Sequence, residues 1–280
     1  MSSPAQQVAG RLSALRLVSF VPPERDAVRV GLLSPDAEQV VDLVHLGIGD
    51  ALEAIDQLET LRRAAGAIMH NTSRTAFAVS AVHLVAPIPL TRCVVLVDPP
   101  TSPEDITPTF VEPTTLHGPG GHMSRVEAAG ARVGIAAVVG DVLRSTAECS
   151  DETLDRALVG SVLVLGWPEA RLEGQPMLRP RAVGPFVAVP RRRPESLHQT
   201  RVAPLETSSG PDESATVPAP DDAQFFALAR AALRTHTLHP GDLLTIFPGP
   251  TAAAAPHLIA GGSWVRVSAP GLGTLSLAVR

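Results

Sequence analysis

The chain has 280 residues, 45% of them hydrophobic and 18% charged, so it can bury a core as one large domain or as a domain with a smaller companion. Its net charge of -5 argues against a nucleic-acid-binding protein, because such proteins carry a basic face. The apolar stretches are shorter than the roughly 20 residues that a membrane span needs. Residues 1–10 contain no apolar signal core, so we expect a cytoplasmic protein without membrane contact.

The first part of the sequence, residues 1–80, predicts a small module of strands and one helix. Residues 1–14 read as a loose arm. A helix is predicted from about 49 to 68, because Asp50 and Glu53 form a capping box and large apolar residues recur at helical spacing. Strands are predicted at 15–20, 28–33 and 40–43.

The rest of the sequence, residues 81–280, predicts a second domain of short strands separated by proline and glycine. One helix is expected at about 150–159, where Gly160 stops it, and another at about 222–235. Residues 190–220 contain few large apolar side chains, which predicts a mobile loop. Further strands are predicted at 161–165, 241–247, 264–267 and 272–279. The expected fold class is therefore α+β, with mostly β structure.

Two residue types that often take part in catalysis, lysine and tyrosine, are absent from the sequence. All 23 basic residues are arginine, which a GC-rich genome explains without reference to function. The absence still excludes a Schiff base on lysine and a phenol that donates to an oxyanion. Two cysteines, Cys93 and Cys149, are too few for a disulfide framework and are expected to be buried free thiols.

Eight segments, in order over nearly the whole sequence, resemble the fumarylacetoacetate hydrolase family. Among them are the dipeptide Gly184-Pro185 and the turn Pro240-Gly241-Asp242. The eight lie at 15–43, 83–89, 108–120, 134–160, 182–187, 237–244, 261–267 and 271–275. The resemblance implies a mixed β-roll core and a homodimer. It also implies hydrolysis, tautomerisation or decarboxylation of small dicarbonyl or oxo acids, assisted by Mg²⁺ or Ca²⁺ on carboxylates.

The same resemblance identifies what this sequence has lost. Arg132, Gly134 and Gly166 stand where the family carries the two glutamates and the aspartate that hold the metal ion. An arginine repels a divalent cation, and glycine has no side-chain oxygen to offer as a ligand. We therefore expect no metal ion and no other cofactor at this site.

The residues that would move protons are altered as well. Alignment with the family's general-base segment puts Thr101 in place of its histidine and retains its glutamate as Glu104. Glu112, His117 and His122 are the other candidate catalytic residues, since histidine titrates near neutral pH. The alternative for both histidines is an exposed position in a loop.

Four residues are candidates for binding substrate: Arg132, Trp167, Arg171 and Phe247. Arg132 would hold a carboxylate or enolate as a fixed cation at the former metal position. The alternatives are a salt bridge between Arg132 and a nearby glutamate, and a core position for Trp167.

Two functions remain open from the sequence. One is a metal-independent enzyme of lyase, isomerase or cyclase type that acts on an enolisable carbonyl compound, as in specialised metabolism. The other is a catalytically inactive binding or scaffold subunit with the same fold. A concave cleft in which Arg132 and a histidine converge favours the enzyme, whereas a cleft filled by Phe247 or Trp167 favours the inactive subunit.

Overall fold

The computed structural model describes most of the chain, and the ranges that it describes are 15–23, 26–70, 75–88, 92–97, 106–111, 116–124, 131–144, 149–169, 177–189, 196–200, 215–248 and 264–280. Within them the secondary structure is mostly β, with four α-helices. The prediction of an α+β, mostly β fold is therefore confirmed.

Sixteen strands lie in the described ranges. In chain order they are β1 (Leu15–Val21), β2 (Arg29–Leu33), β3 (Gln39–Asp42), β4 (Ala76–Ala78), β5 (His83–Val85), β6 (Cys93–Val97), β7 (Thr109–Val111), β8 (His122–Met123), β9 (Arg132–Val139), β10 (Leu158–Glu169), β11 (Met177–Val189), β12 (Ser196–Thr200), β13 (Ala215–Pro218), β14 (Leu243–Phe247), β15 (Trp264–Ala269) and β16 (Gly273–Val279). The helices are α1 (Ala51–Asp56), α2 (Leu58–His70), α3 (Asp151–Ala157) and α4 (Asp222–Leu233).

The strands form two sheets. The larger has 11 strands in the order β4-β3-β2-β1-β11-β10-β9-β14-β6-β7, with β5 also paired to β1. The smaller has 5 strands in the order β13-β12-β15-β16-β8. Pairing is antiparallel except between β6 and β14 and between β8 and β16. Because β1 pairs with β11, the N-terminal strands extend the same sheet that contains the central strands β9 and β10.

The predicted helix at 49–68 is two helices, α1 and α2, separated at Gln57. The N-cap at its start is present, because the Asp50 carboxylate accepts from the amides of Leu52 and Glu53, both at 2.9 Å. The reciprocal bond of the predicted capping box is replaced, because Glu53 accepts from the amide of Gly49, one residue before the cap, at 2.6 Å. The break was not predicted because the apolar spacing continues across it. None of the helices in the described ranges is long and apolar enough to cross a bilayer.

The helix predicted at 150–159 is shorter than expected. Ser150 caps α3 by accepting from the Thr153 amide at 3.2 Å, as its position predicts. The helix ends at Ala157, and β10 begins directly at Leu158, ahead of the predicted stop at Gly160. Cys149, just before this helix, is a free thiol but only partly buried, so the expectation of full burial is wrong for it.

The segment predicted as a loop at 190–220 contains strands β12 and β13. They pair antiparallel, with Leu197 opposite Val217, and β12 also pairs with β15. Their mostly polar sequences hide the alternation that identifies strands, which is why composition predicted a loop.

The large sheet separates two hydrophobic clusters. One contains Ile55 and Leu61 of helices α1 and α2, and the other contains Phe225 and Leu228 of α4. Residues of β9 alternate between them, because successive side chains of a strand point to opposite faces. The face of a central strand on which a residue lies therefore decides its surroundings.

Candidate functional site

The three positions selected from the sequence lie together on two paired strands. Arg132 is the first residue of β9 and is directly opposite Gly166 of β10, while Gly134 is opposite Val164. Two-residue alternation places Arg132 and Gly134 on one face of the sheet. The next residues of β9 on that face, Ala136 and Val138, belong to the cluster packed against α1 and α2.

Phe247 fills the space beside Gly134. Its side chain is 0% exposed. A Cβ added to Gly134 would lie 2.8 Å from Cδ1 of Phe247 and 2.6 Å from the carbonyl oxygen of Ile246. No side chain larger than hydrogen fits at position 134 without movement of β14, so the space next to β9 is apolar and occupied.

Arg132 brings a positive charge to this face. Its guanidinium is partly buried, and Nη2 donates to the carbonyl oxygen of Phe247 at 3.4 Å. Thr245, two residues before Phe247 on β14, shares its face and is fully buried. Thr245 is not among the residues predicted from the sequence, although alternation along the predicted strand 241–247 is enough to place it on the face of Phe247.

Trp167 lies on the opposite face of the sheet. It is 3% exposed and belongs to the cluster that also contains Val133, Ile135 and Leu165. Gly166 is opposite Arg132 and shares its face of the sheet. Trp167 is the next residue of β10, so its side chain lies on the other face. The structure therefore places Trp167 in the core and does not bring it to the face of Arg132.

The two candidate histidines lie elsewhere. His117 forms a bridge with Ala182 of β11, and its carbonyl oxygen accepts from the Val183 amide at 3.0 Å. Strands β11 and β10 separate it from β9. Three strand spacings put its backbone about 14 Å from that strand.

His122 belongs to the smaller sheet. It is exposed on β8, and its Nε2 lies 2.7 Å from Nη2 of Arg280. The remaining candidates, Glu104, Glu112 and Arg171, lie outside the described residues, and so do residues 125–130 and 170–176, which flank β9 and β10.

The positions of the family's metal ligands do not fit a divalent cation. Mg²⁺ and Ca²⁺ take six or more oxygen ligands, of which carboxylates supply the charge. Here the three positions provide a guanidinium and two glycines, and the aromatic ring of Phe247 occupies the space in front of Gly134. Within the part of the chain that the structure describes, no group of three or more His, Cys, Asp or Glu side chains is arranged to hold a metal ion.

Comparison with known proteins identifies the fold. No family model matches the sequence, and no curated protein matches it either. Solved structures do match. Maleylpyruvate hydrolase from Sphingobium sp. SYK-6, solved with manganese(II) and pyruvate, has a TM-score of 0.65 at 18% identity, over 94% of this chain and 98% of that one.

Two mycobacterial isomerases are similar to the same extent. The 2-hydroxyhepta-2,4-diene-1,7-dioate isomerase from Mycobacterium marinum has a TM-score of 0.62 at 17% identity, over 95% of this chain and 98% of that one. The 5-carboxymethyl-2-hydroxymuconate delta-isomerase from Mycobacterium smegmatis has a TM-score of 0.59 at 16% identity, over 94% and 98%. At these identities the likeness establishes the fold. The chain therefore has the fold that these hydrolase and isomerase structures share.

Proposed function

We propose that the chain is a metal-independent enzyme of lyase, isomerase or cyclase type, acting on a small enolisable carbonyl acid. The observation that carries the proposal is Arg132, a partly buried guanidinium on the same face as Gly134, at the position that the family gives to a metal ligand. Similar folds act on such acids in a hydrolase and in isomerases.

A guanidinium can replace one function of the metal ion. Removing a proton next to a carbonyl group creates an enolate, and a fixed positive charge stabilises that negative charge as it develops. The effect is stronger where apolar groups exclude water, and Phe247 and Val164 are buried apolar residues on the face that Arg132 shares with Gly134. Arg132 therefore has the role of binding the carboxylate or the enolate.

Several residues are candidates for the group that moves the proton. Glu104, Glu112, His117 and His122 remain the candidate bases, with Arg171 as a second possible cation for the substrate. Of the two histidines, His117 is nearer in the sheet order to β9, because His122 lies on the other sheet.

The function is tested by the exchange of deuterium for the protons next to the carbonyl group of pyruvate and of oxaloacetate. In heavy water with a chelator present, the protein is expected to accelerate loss of the proton signal next to the carbonyl group, followed by NMR. Arg132→Ala is expected to lower the protein-catalysed rate about 100-fold, the usual cost of one oxyanion-stabilising donor. Arg144→Ala, an exposed arginine beyond β9, is the matched control and should leave the rate unchanged.

A catalytically inactive binding or scaffold subunit is the second candidate. The packing of Phe247 against Gly134 supports it, because an occupied site leaves less room for a substrate. In that case neither acid exchanges faster than in buffer. An exchange rate that is the same in Arg132→Ala as in the unaltered protein would also remove Arg132 from the mechanism.

A further inference from the structure

A cavity lies at the other end of β9 from Arg132. It encloses about 570 Å³ between helices α1 and α2 and the passage from α3 to β10. This volume falls within the about 300 to 1,000 Å³ typical of small-molecule sites. Gly140, which lines it, is eight residues from Arg132 along β9, about 26 Å in an extended strand. The cavity is therefore separate from the candidate site.

The floor of this cavity is apolar. Ile55, Leu58 and Leu158 line it and are 4%, 7% and 2% exposed, so they form part of the core as well as the cavity wall. Val159 lies beside them, pressed against Gly140. A ligand with a hydrocarbon portion can cover this surface and exclude water from it.

The rim of the cavity is charged, with an excess of carboxylates. The exposed charged side chains are Asp56, Glu59, Asp141, Asp155, Arg62 and Arg156, which leave a net charge of -2 at neutral pH, four negative against two positive. The carboxylate of Glu59 forms an ion pair with Arg62 at 3.5 Å. Within the described residues, Asp56 and Asp141 form no ion pair, and they come from different elements: Asp56 ends α1, and Asp141 follows β9 by two residues.

We infer that this cavity binds a small organic cation, an amine with an apolar body. The ammonium group lies between the carboxylates of Asp56 and Asp141, and the hydrocarbon part covers Ile55, Leu58 and Leu158. Charge complementarity selects a cation over an anion, and the apolar floor selects an alkylamine over a bare metal ion.

Calorimetric titration with hexylamine tests the inference, with hexanoate and hexanol as ligands of the same length that carry the opposite charge or none. Hexylamine is expected to bind saturably, and the other two at least about tenfold more weakly. The double variant Asp56→Asn/Asp141→Asn is expected to weaken hexylamine binding about tenfold or more. Both residues are exposed, so the unliganded melting temperature should remain unchanged.

Glu152→Gln is the matched control, because Glu152 is an exposed carboxylate on α3 that does not line the cavity. Its affinity for hexylamine should equal that of the unaltered protein. The inference is overturned if hexylamine shows no saturable binding, if hexanoate binds as well, or if the double variant binds hexylamine unchanged. None of these results depends on Arg132 or on proton exchange into pyruvate.

Discussion

The two ends of β14 bury side chains of different kinds, a charged carboxylate at one end and an aromatic ring at the other. Before the strand, Asp242 is 0% exposed and accepts from Nη2 of Arg92 at 3.0 Å and from the His239 amide at 2.8 Å. At the end of the strand, Phe247 is also fully buried but packs against Gly134 and offers only its carbonyl oxygen to Arg132. The first end keeps a charge buried and paired, whereas the second buries an aromatic ring.

The same two ends differ in how far their residues resemble the fumarylacetoacetate hydrolase family. The turn Pro240-Gly241-Asp242 is one of the segments that resemble the family, and Gly241 has a φ of 85°, a conformation that other residues adopt at a cost. Arg132, Gly134 and Gly166 differ from the residues that the resemblance would place there, yet β9 and β10 stay paired in continuous register from Arg132 to Val138. On the other side of β10, the register with β11 shifts between Leu165 and Gly166.

The largest expected effect comes from removing the ring at the altered end. Phe247→Ala should lower the free energy of unfolding by about 4 kcal/mol, because a fully buried ring is replaced by a cavity. Urea unfolding measures this loss. Phe77→Ala is the control, since Phe77 on β4 is only partly buried and should lose less. An equal or smaller loss for Phe247→Ala would mean that the ring does not fill the site.

A somewhat smaller effect is expected at the turn. Asp242→Asn should lower the free energy of unfolding by about 3 kcal/mol, because it leaves Arg92, whose side chain is 23% exposed, without its carboxylate partner. The matched change at an exposed carboxylate, Asp26→Asn, should shift unfolding by less than about 0.5 kcal/mol. If the two variants unfold at the same urea concentration, the turn is not held by its ion pair.

The sequence predicted the local features of this fold and not the distant pairings. The helix caps at Asp50 and Ser150 depend on neighbouring residues, and both are present. The parallel pairing of β6 with β14 joins segments about 150 residues apart, for which no local pattern exists. The break at Gln57 was missed because the apolar spacing continues across it, and the strands within 190–220 were missed because their sequences are mostly polar.

In the candidate site, too, features within one strand were predictable and contacts between strands were not. Alternation placed Arg132 and Gly134 on one face, and the structure has them there. The place of Trp167 on the opposite face and of Phe247 against Gly134 required the register between strands, which one sequence does not contain. The roles proposed for His117, His122, Glu104, Glu112 and Arg171 stay predictions.

Titration with Mn²⁺ determines whether the face of Arg132 and Gly134 holds a divalent cation. Chelator-treated protein is titrated while free Mn²⁺ is followed by electron paramagnetic resonance and the melting temperature is recorded. We predict no saturable binding and no rise in melting temperature, since a ligand that binds the folded state would raise it. The titration is repeated with the Asp56→Asn/Asp141→Asn variant, in which these two carboxylates of the separate cavity cannot bind Mn²⁺. One Mn²⁺ bound per chain in that variant, with a saturable rise in melting temperature, would contradict the account.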